Sequence, residues 1–405
     1  VRPSARLRHN LPAQTTPFVG REAELEVIRA RLREPDCRLL TLVGPGGVGK
    51  TRLALEAAWS LVPQMEQDGF ADGVYFVRMA PLESAEALVT AVAKALEFSF
   101  YGGAAGPDPR QQLLDYLGQK RLLLLMDNFE HLLDGVELVT AMLAAAPGVK
   151  VLATSRARLG LQGEHLYTVT GMQFPGLVSA TAVEVPEVLA YSAVKLFVQT
   201  AQRVCPGFEP LPKEFMTIVR ICHLVEGMPL GILLAAAWVD MLSPEEIATE
   251  VERSLDFLAT DLHDVPTRQR SIRPVFDRSW NLLTEREREV FQALSVFSGG
   301  FTRAAAQHVS RGSLHELRAL ADKSLLEVTP SGRYEIHELL RQYAAEKLYA
   351  SRDAATSARD RHGTYYMAAL QRWGADLTSA RWEAASVELE AELGNIGAAW
   401  AWAAE

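Results

Sequence analysis

The octet GPGGVGKT, residues 44–51, limits the fold of this chain more than any other stretch. It follows the apolar run RLLTLV and leads into TRLALEAAWSLV, so it fits G-x-x-x-x-G-K-[ST] in the strand-to-helix setting that gives this spacing its physics. Gly44, Gly46, Gly47 and Gly49 let backbone N–H groups converge on one point, and the positive end of a helix starting near Lys50 adds to the anion site. Lys50 is expected to reach the β- and γ-phosphates of a nucleotide, and the Thr51 hydroxyl to ligand Mg²⁺. The expected cofactor-binding stretch thus comprises Gly44, Pro45, Gly46, Gly47, Val48, Gly49, Lys50, Thr51 and Arg52. The alternative is a glycine-rich turn that binds nothing.

Further apolar runs follow at GVYFVRM (73–79), RLLLLM (121–126), VKVLATS (149–155) and HLYTV (165–169), with helical segments between them. Strands that do not alternate are buried on both faces, which predicts a five-stranded, mostly parallel α/β sheet of the P-loop NTPase type. Asp127 ends the third run, where such sheets present ligand groups, and is expected to hold Mg²⁺ together with Thr51. Capping of the next helix is the other use of an Asp there. Hydrolases of this fold often carry a second acid directly after that Asp. Here it is Asn128, which cannot accept a proton, so Glu130 becomes the weaker candidate for general base. Arg156 ends ATSR; in the sheet variant whose fourth strand lies between the first and third, its guanidinium would face the γ-phosphate, a surface Arg being the alternative. Lys50, Asp127, Arg156 and Glu130 are the candidate catalytic groups.

The rest of the chain reads as further domains. Residues 1–17 carry prolines and arginines without periodicity and suggest a linker or strap; 18–170 form the nucleotide-binding domain; 171–265 form a helical domain entered by a connector, 171–189. Residues 266–352 contain helices and then SLLEVTPSGRYEIH, two short β-like runs around a Ser-Gly turn, the outline of a winged helix. Residues 353–405 read as paired helices. Charge of −9 argues against nucleic acid or anionic membrane as a partner through overall charge, no apolar run is long enough to cross a bilayer, and three cysteines without disulfide or zinc spacing suit the cytoplasm. A first residue Val1 and a final Glu405 inside a helical pattern suggest a piece of a longer protein.

Taken in order, FVGRE (18–22), GPGGVGKT, LLLLMDNFEHLL, VLATSR, EGMPLGI and YEIHELLRQYA resemble the STAND signal-transduction ATPases, also called AP-ATPases or NB-ARC proteins, and among them the bacterial regulator type. The resemblance covers residues 18 to about 350. It implies that Val19 and Arg21 border adenine and ribose, that Pro229 packs on the base, and that His337 reaches the β-phosphate of ADP. Glu338 stands where that family has Asp. On the residues alone, a strand-end or capping histidine is the favoured reading of His337, ahead of a ligand. The last helices resemble the start of a tetratricopeptide-like sensor, a helical cap being the alternative.

These readings add up to a nucleotide-dependent switch, off with ADP and on with ATP and Mg²⁺, hydrolysing slowly and coupling a signal at the C-terminal helices to self-assembly or an effector. A motor of the AAA type would need a strong catalytic acid, which Asn128 does not supply. A DNA-binding regulator is the third reading. From Thr284 to Ala350 nine Lys and Arg are interleaved with nine Asp and Glu, which leaves no net basic charge for phosphates.

Overall fold

The computed structural model describes residues 8–79, 82, 84–102, 107–132, 135–176, 185–259 and 270–404. The chain divides into two compact units, one holding residues up to Pro175 with Val183–Leu196 and Met228–Leu230, the other holding Phe197–Gly227 and Gly231–Glu405. The helices expected as a separate domain at 171–265 thus contribute to both units. Residues 1–7 of the expected strap, 177–184 of the connector, 260–269 around the expected boundary at 265 and the final Glu405 lie outside the described residues.

In the first unit, five strands, β1 (Leu39–Val43), β2 (Gly73–Arg78), β3 (Leu122–Asp127), β4 (Val149–Ser155) and β5 (Glu164–Thr168), form a sheet of order β2-β3-β4-β1-β5. Every pairing in it is parallel. β3 is apolar at successive positions because both its faces are covered. Leu122, Leu124 and Met126 pack with Leu88, Val92, Leu113, Leu117 and Met142 from the helices Ala85–Ala95, Pro109–Leu117 and Val136–Ala145. Leu123 and Leu125 join Ile28, Leu32, Leu53 and Leu61 from Glu22–Arg33 and Lys50–Leu61 on the other face. At roughly 1.5–3 kcal/mol for each fully buried aliphatic side chain, these two layers are the main stabilising term of the unit.

The strand order positions the site. β4 lies between β1 and β3, with Val43 opposite Ser155 and Met126 opposite Ala153, so Gly44, Asp127 and Arg156 all leave the sheet at its carboxyl edge. Crossover connections of parallel strands put loops at that edge, where ligands of such sheets bind. At the β2 edge the start of the described chain runs alongside: Val74 N–H donates to the Arg8 carbonyl at 3.0 Å, and the Asn10 side chain donates to Phe76 O at 3.0 Å. The otherwise open strand edge is thereby covered.

The second unit is helical apart from an antiparallel pair, β6 (Glu327–Val328) and β7 (Tyr334–Glu335). Four helices, Ile272–Asn281, Glu285–Leu294, Arg303–Ser310 and Leu314–Asp322, precede the hairpin and Glu338–Tyr349 follows it. The stretch Ser243-Pro244-Glu245-Glu246 has the pattern of a helix start and forms a capping box: Glu246 N–H donates to Ser243 Oγ at 3.4 Å, and Ser243 N–H donates to the Glu246 carboxylate at 2.8 Å. Thr284 with Glu287 and Ser313 with Glu316 repeat it. Among the described residues no helix is long and apolar enough to cross a membrane.

Candidate functional site

The loop after β1 takes its shape from its glycines. Gly47 and Gly49 sit at φ of 86° and 91°, the left-handed region that glycine enters without steric cost. At Gly44 space decides: a Cβ there would stand 2.5 Å from the Val169 carbonyl oxygen. Lys50 opens the following helix, and its Nζ donates to the carbonyls of Gly44 at 2.7 Å and Pro45 at 2.9 Å. Burial is the main cause that lowers the Lys50 pKa to about 8; Glu130 and Asp127 act against it and Arg156 adds to it. An ammonium drawn out of water and resting on carbonyl dipoles fits a polyanion held in the loop.

Thr51 and Asp127 meet directly, the hydroxyl donating to Oδ1 at 2.6 Å. Asp127 is 2% exposed, and the same Oδ1 accepts from Thr154 Oγ1 at 2.7 Å while Oδ2 accepts from Asn128 Nδ2 at 3.0 Å. Two hard oxygen groups so placed suit Mg²⁺. Thr154 was not singled out by sequence reasoning. Its signal was available: in a strand, residues two apart share a side, and Thr154 precedes Arg156 by that interval.

Asn128 departs most from expectation. It adopts φ 64° and ψ 57°, and its N–H donates to Thr154 Oγ1 at 3.0 Å. Asn tolerates the left-handed region better than most residues because its short amide bonds locally. Glu130 follows on the 3₁₀ turn Phe129–His131 and is engaged: Arg156 Nε donates to its Oε1 at 3.0 Å, with the two side chains 8% and 11% exposed. Arg156 is therefore not the surface Arg of the alternative reading.

The remaining expected contacts divide. Gly20 and Arg21 both have left-handed φ before helix Glu22–Arg33; Arg21 is buried, its Nη2 donates to the Thr170 carbonyl at 2.7 Å, and its Nη1 is buried without a hydrogen-bond partner among the described residues. Val19 beside it is half-buried. Pro229 stands 3.6 Å from where a Cβ on Gly49 would lie, and its neighbour Leu230 donates its N–H to Gly47 O at 3.2 Å. Met228 is closer to the loop, its sulfur 3.0 Å from a Cβ built on Gly47. Arg52, expected beside the nucleotide, instead bonds Gln14 and the Thr16 carbonyl of the leading segment, with its guanidinium 5.9 Å from the Phe18 ring. On a helix it points a full 100° away from Thr51, which explains the difference.

His337 belongs to the second unit. It is the N-cap of helix Glu338–Tyr349, where Nδ1 accepts from Leu339 N–H at 3.3 Å, as in the capping alternative. Nδ1 lies 3.7 Å from the Glu226 carboxylate, Nε2 is buried with no hydrogen-bond partner among the described residues, and burial lowers the pKa of His337 to about 4. Glu338 donates its N–H to Glu226 at 2.6 Å and receives Arg341 at 2.7 Å.

Comparison with known proteins places this geometry. Residues 21–165 match the NB-ARC domain family. A candidate HTH-type transcriptional regulator of Mycobacterium tuberculosis is 36% identical over 381 residues, covering 91% of this chain and 40% of that protein. An uncharacterized protein of the same organism is 31% identical over 360 residues, covering 86% of this chain and 85% of that protein. Among solved structures, a Signal Transduction ATPase with Numerous Domains (STAND) protein with a tetratricopeptide repeat sensor from Pyrococcus horikoshii aligns with 18% identity and a TM-score of 0.37, over 94% of this chain and 51% of that one. This chain thus spans 40% of the length of the first relative. With a glycine loop leading into the helix that Lys50 opens, a family match over residues 21–165, and identity across most of a relative's length, the chain belongs to the NB-ARC family.

Proposed function

We propose that this chain is a nucleotide-dependent switch that holds ADP in its resting form and ATP in its active form, and hydrolyses ATP slowly. One observation carries the reading: the position of a second catalytic acid is Asn128, and the nearby Glu130 is bound to Arg156. An amide cannot accept a proton from the attacking water, so a site with Asn128 in that position binds better than it turns over. Lys50 would hold the β- and γ-phosphates, the N–H groups of residues 44–51 would cradle them, and Thr51 and Asp127 would hold Mg²⁺. The ion would supply charge neutralisation between the phosphates. Val19 and Arg21 would flank the base and ribose, Pro229 would cover them, and His337 would read the β-phosphate of ADP. Differential contacts of this kind bias a two-state element.

The length and the name of one relative, the HTH-type regulator, favour a place for this switch inside a larger transcriptional regulator. The balanced charge of residues 284–350 speaks against DNA contact by that stretch. Self-assembly in the ATP form and a signal partner at the C-terminal helices belong to the same proposal.

The test is to denature the purified protein and identify released nucleotide, beside steady-state ATPase measurement. Retained ADP and turnover slower than about one per second are expected, against the 1–10³ per second of ordinary enzymes. Lys50→Ala abolishes retention. Turnover of many per second, or full nucleotide affinity in Lys50→Ala, would overturn the proposal.

A further inference from the structure

The cradle contains an ion pair that phosphate binding alone does not require. Arg156 leaves β4 between β1 and β3, and its Nε donates a hydrogen bond to Glu130 Oε1 at 3.0 Å. The other carboxylate oxygen, Oε2, is buried and receives no hydrogen bond from the described residues. A buried carboxylate with acceptors unmet costs free energy, so stability does not explain the pair. Glu130 also acts electrostatically on Lys50, as do Arg156 and Asp127. Two cations and two anions therefore share the space beside the loop, and their formal charges cancel. A γ-phosphate beside Lys50 would add negative charge next to Glu130 and compete with it for the guanidinium, while a diphosphate, one group shorter, would disturb the pair less.

We infer that Glu130 is a specificity-determining residue that sets the preference of this site between nucleoside diphosphate and triphosphate. Glu130 neutralises Arg156 when no γ-phosphate is present, and triphosphate binding carries the cost of separating the two. The exchange replaces one anion with another on the same guanidinium and involves no covalent step. This inference rests on the nucleotide reading proposed above, and it gives Glu130 a role distinct from general base: its loss alters relative affinity, where loss of a base would slow hydrolysis and leave affinity alone.

The experiment is calorimetric titration, with Mg²⁺, of ADP and of a non-hydrolysable ATP analogue into the wild-type chain, E130Q, E130D and K50A. A charged hydrogen-bonded pair of this kind corresponds to about tenfold or more in affinity. E130Q is therefore expected to shift the ratio of triphosphate to diphosphate affinity about tenfold toward triphosphate. E130D, whose shorter arm weakens the pair, shifts it in the same direction by less, and serves if E130Q does not fold. An unchanged ratio in the folded variants, or equal loss of both nucleotides, would overturn the inference, since a merely structural role moves both affinities together. K50A separates the two levels: binding of both nucleotides by K50A as by wild type would remove the nucleotide reading itself, whereas loss of binding in K50A with an unchanged ratio in E130Q removes only the role of Glu130.

Discussion

At the residue scale, Asn128 shows how one side chain meets two demands. Its backbone turns into the left-handed region at the end of β3, and its amide donates to Asp127 Oδ2 at 3.0 Å. An alanine would accept the same φ only with strain and would leave the carboxylate short of a donor. Asn128→Ala is therefore expected to destabilise the protein by roughly 1–3 kcal/mol, the sum of left-handed strain and one lost hydrogen bond. Asn128→Gly keeps the backbone freedom and should recover part of that loss. Urea denaturation checks both; two variants indistinguishable from wild type would remove the argument. The sequence marked Asn128 as a missing acid. Its backbone role escaped notice because φ is set by the path from β3 into the turn, which residue type alone does not report.

At the scale of elements, the second unit is tied together by a buried polar cluster. Glu392 is 4% exposed; its carboxylate accepts from Arg333 at 2.7 Å, Tyr366 at 2.8 Å and Asn395 at 2.8 Å. Arg333 lies in the β6–β7 turn, Tyr366 in helix Arg352–Asp376 and Asn395 in helix Leu393–Ala404, so one carboxylate joins the hairpin to the C-terminal helices. Arg333 also donates to the Gly300 carbonyl at 2.7 Å, and Ser298 N–H donates to Asn395 Oδ1 at 2.8 Å. Removing one partner of a buried pair leaves the other uncompensated. Glu392→Ala is expected to cost roughly 3 kcal/mol in chemical denaturation and to speed amide exchange in helix Arg352–Asp376. A loss below about 0.5 kcal/mol would mean that water replaces the pair, as at a surface site. Helix starts such as Ser243-Pro244-Glu245-Glu246 were legible because caps are local chemistry. This cluster was not, since VELEAE (387–392) carries no mark separating a buried Glu392 from its solvated neighbours.

For the whole molecule, buried histidines set the response to acid. Burial lowers the pKa of His337 and of His362 from 6.5 to about 4. Between those values the unfolded chain binds protons that the folded chain refuses, so stability falls as pH falls from 6.5 toward 4. Glu226, half-buried beside His337, has its pKa raised by burial from 4.5 to about 7, and in that range it favours folding as pH falls. His362→Gln should therefore flatten the acid limb of a stability-versus-pH curve by up to about 1.4 kcal/mol per pH unit, one proton's worth. Glu226→Gln should steepen it. A limb unaltered by both substitutions would show that these groups titrate normally.

The sequence by itself determined the strand, the glycine loop and the helix of the cradle, together with the doubly covered sheet, because their causes are local: positive φ at Gly47 and Gly49, and runs such as LLLLM with no polar face. Tertiary structure decided the contacts that were not expected: Asp127, foreseen beside Thr51, also accepts from Thr154 and Asn128, and Glu130 is paired with Arg156. Glu130 reaches Arg156, 26 residues away, and Thr51 reaches Asp127, 76 residues away, only because β4 is inserted between β1 and β3. A charge or hydroxyl acquires its chemical role from what strand order brings within 3 Å of it, and no periodicity in the chain encodes that distance.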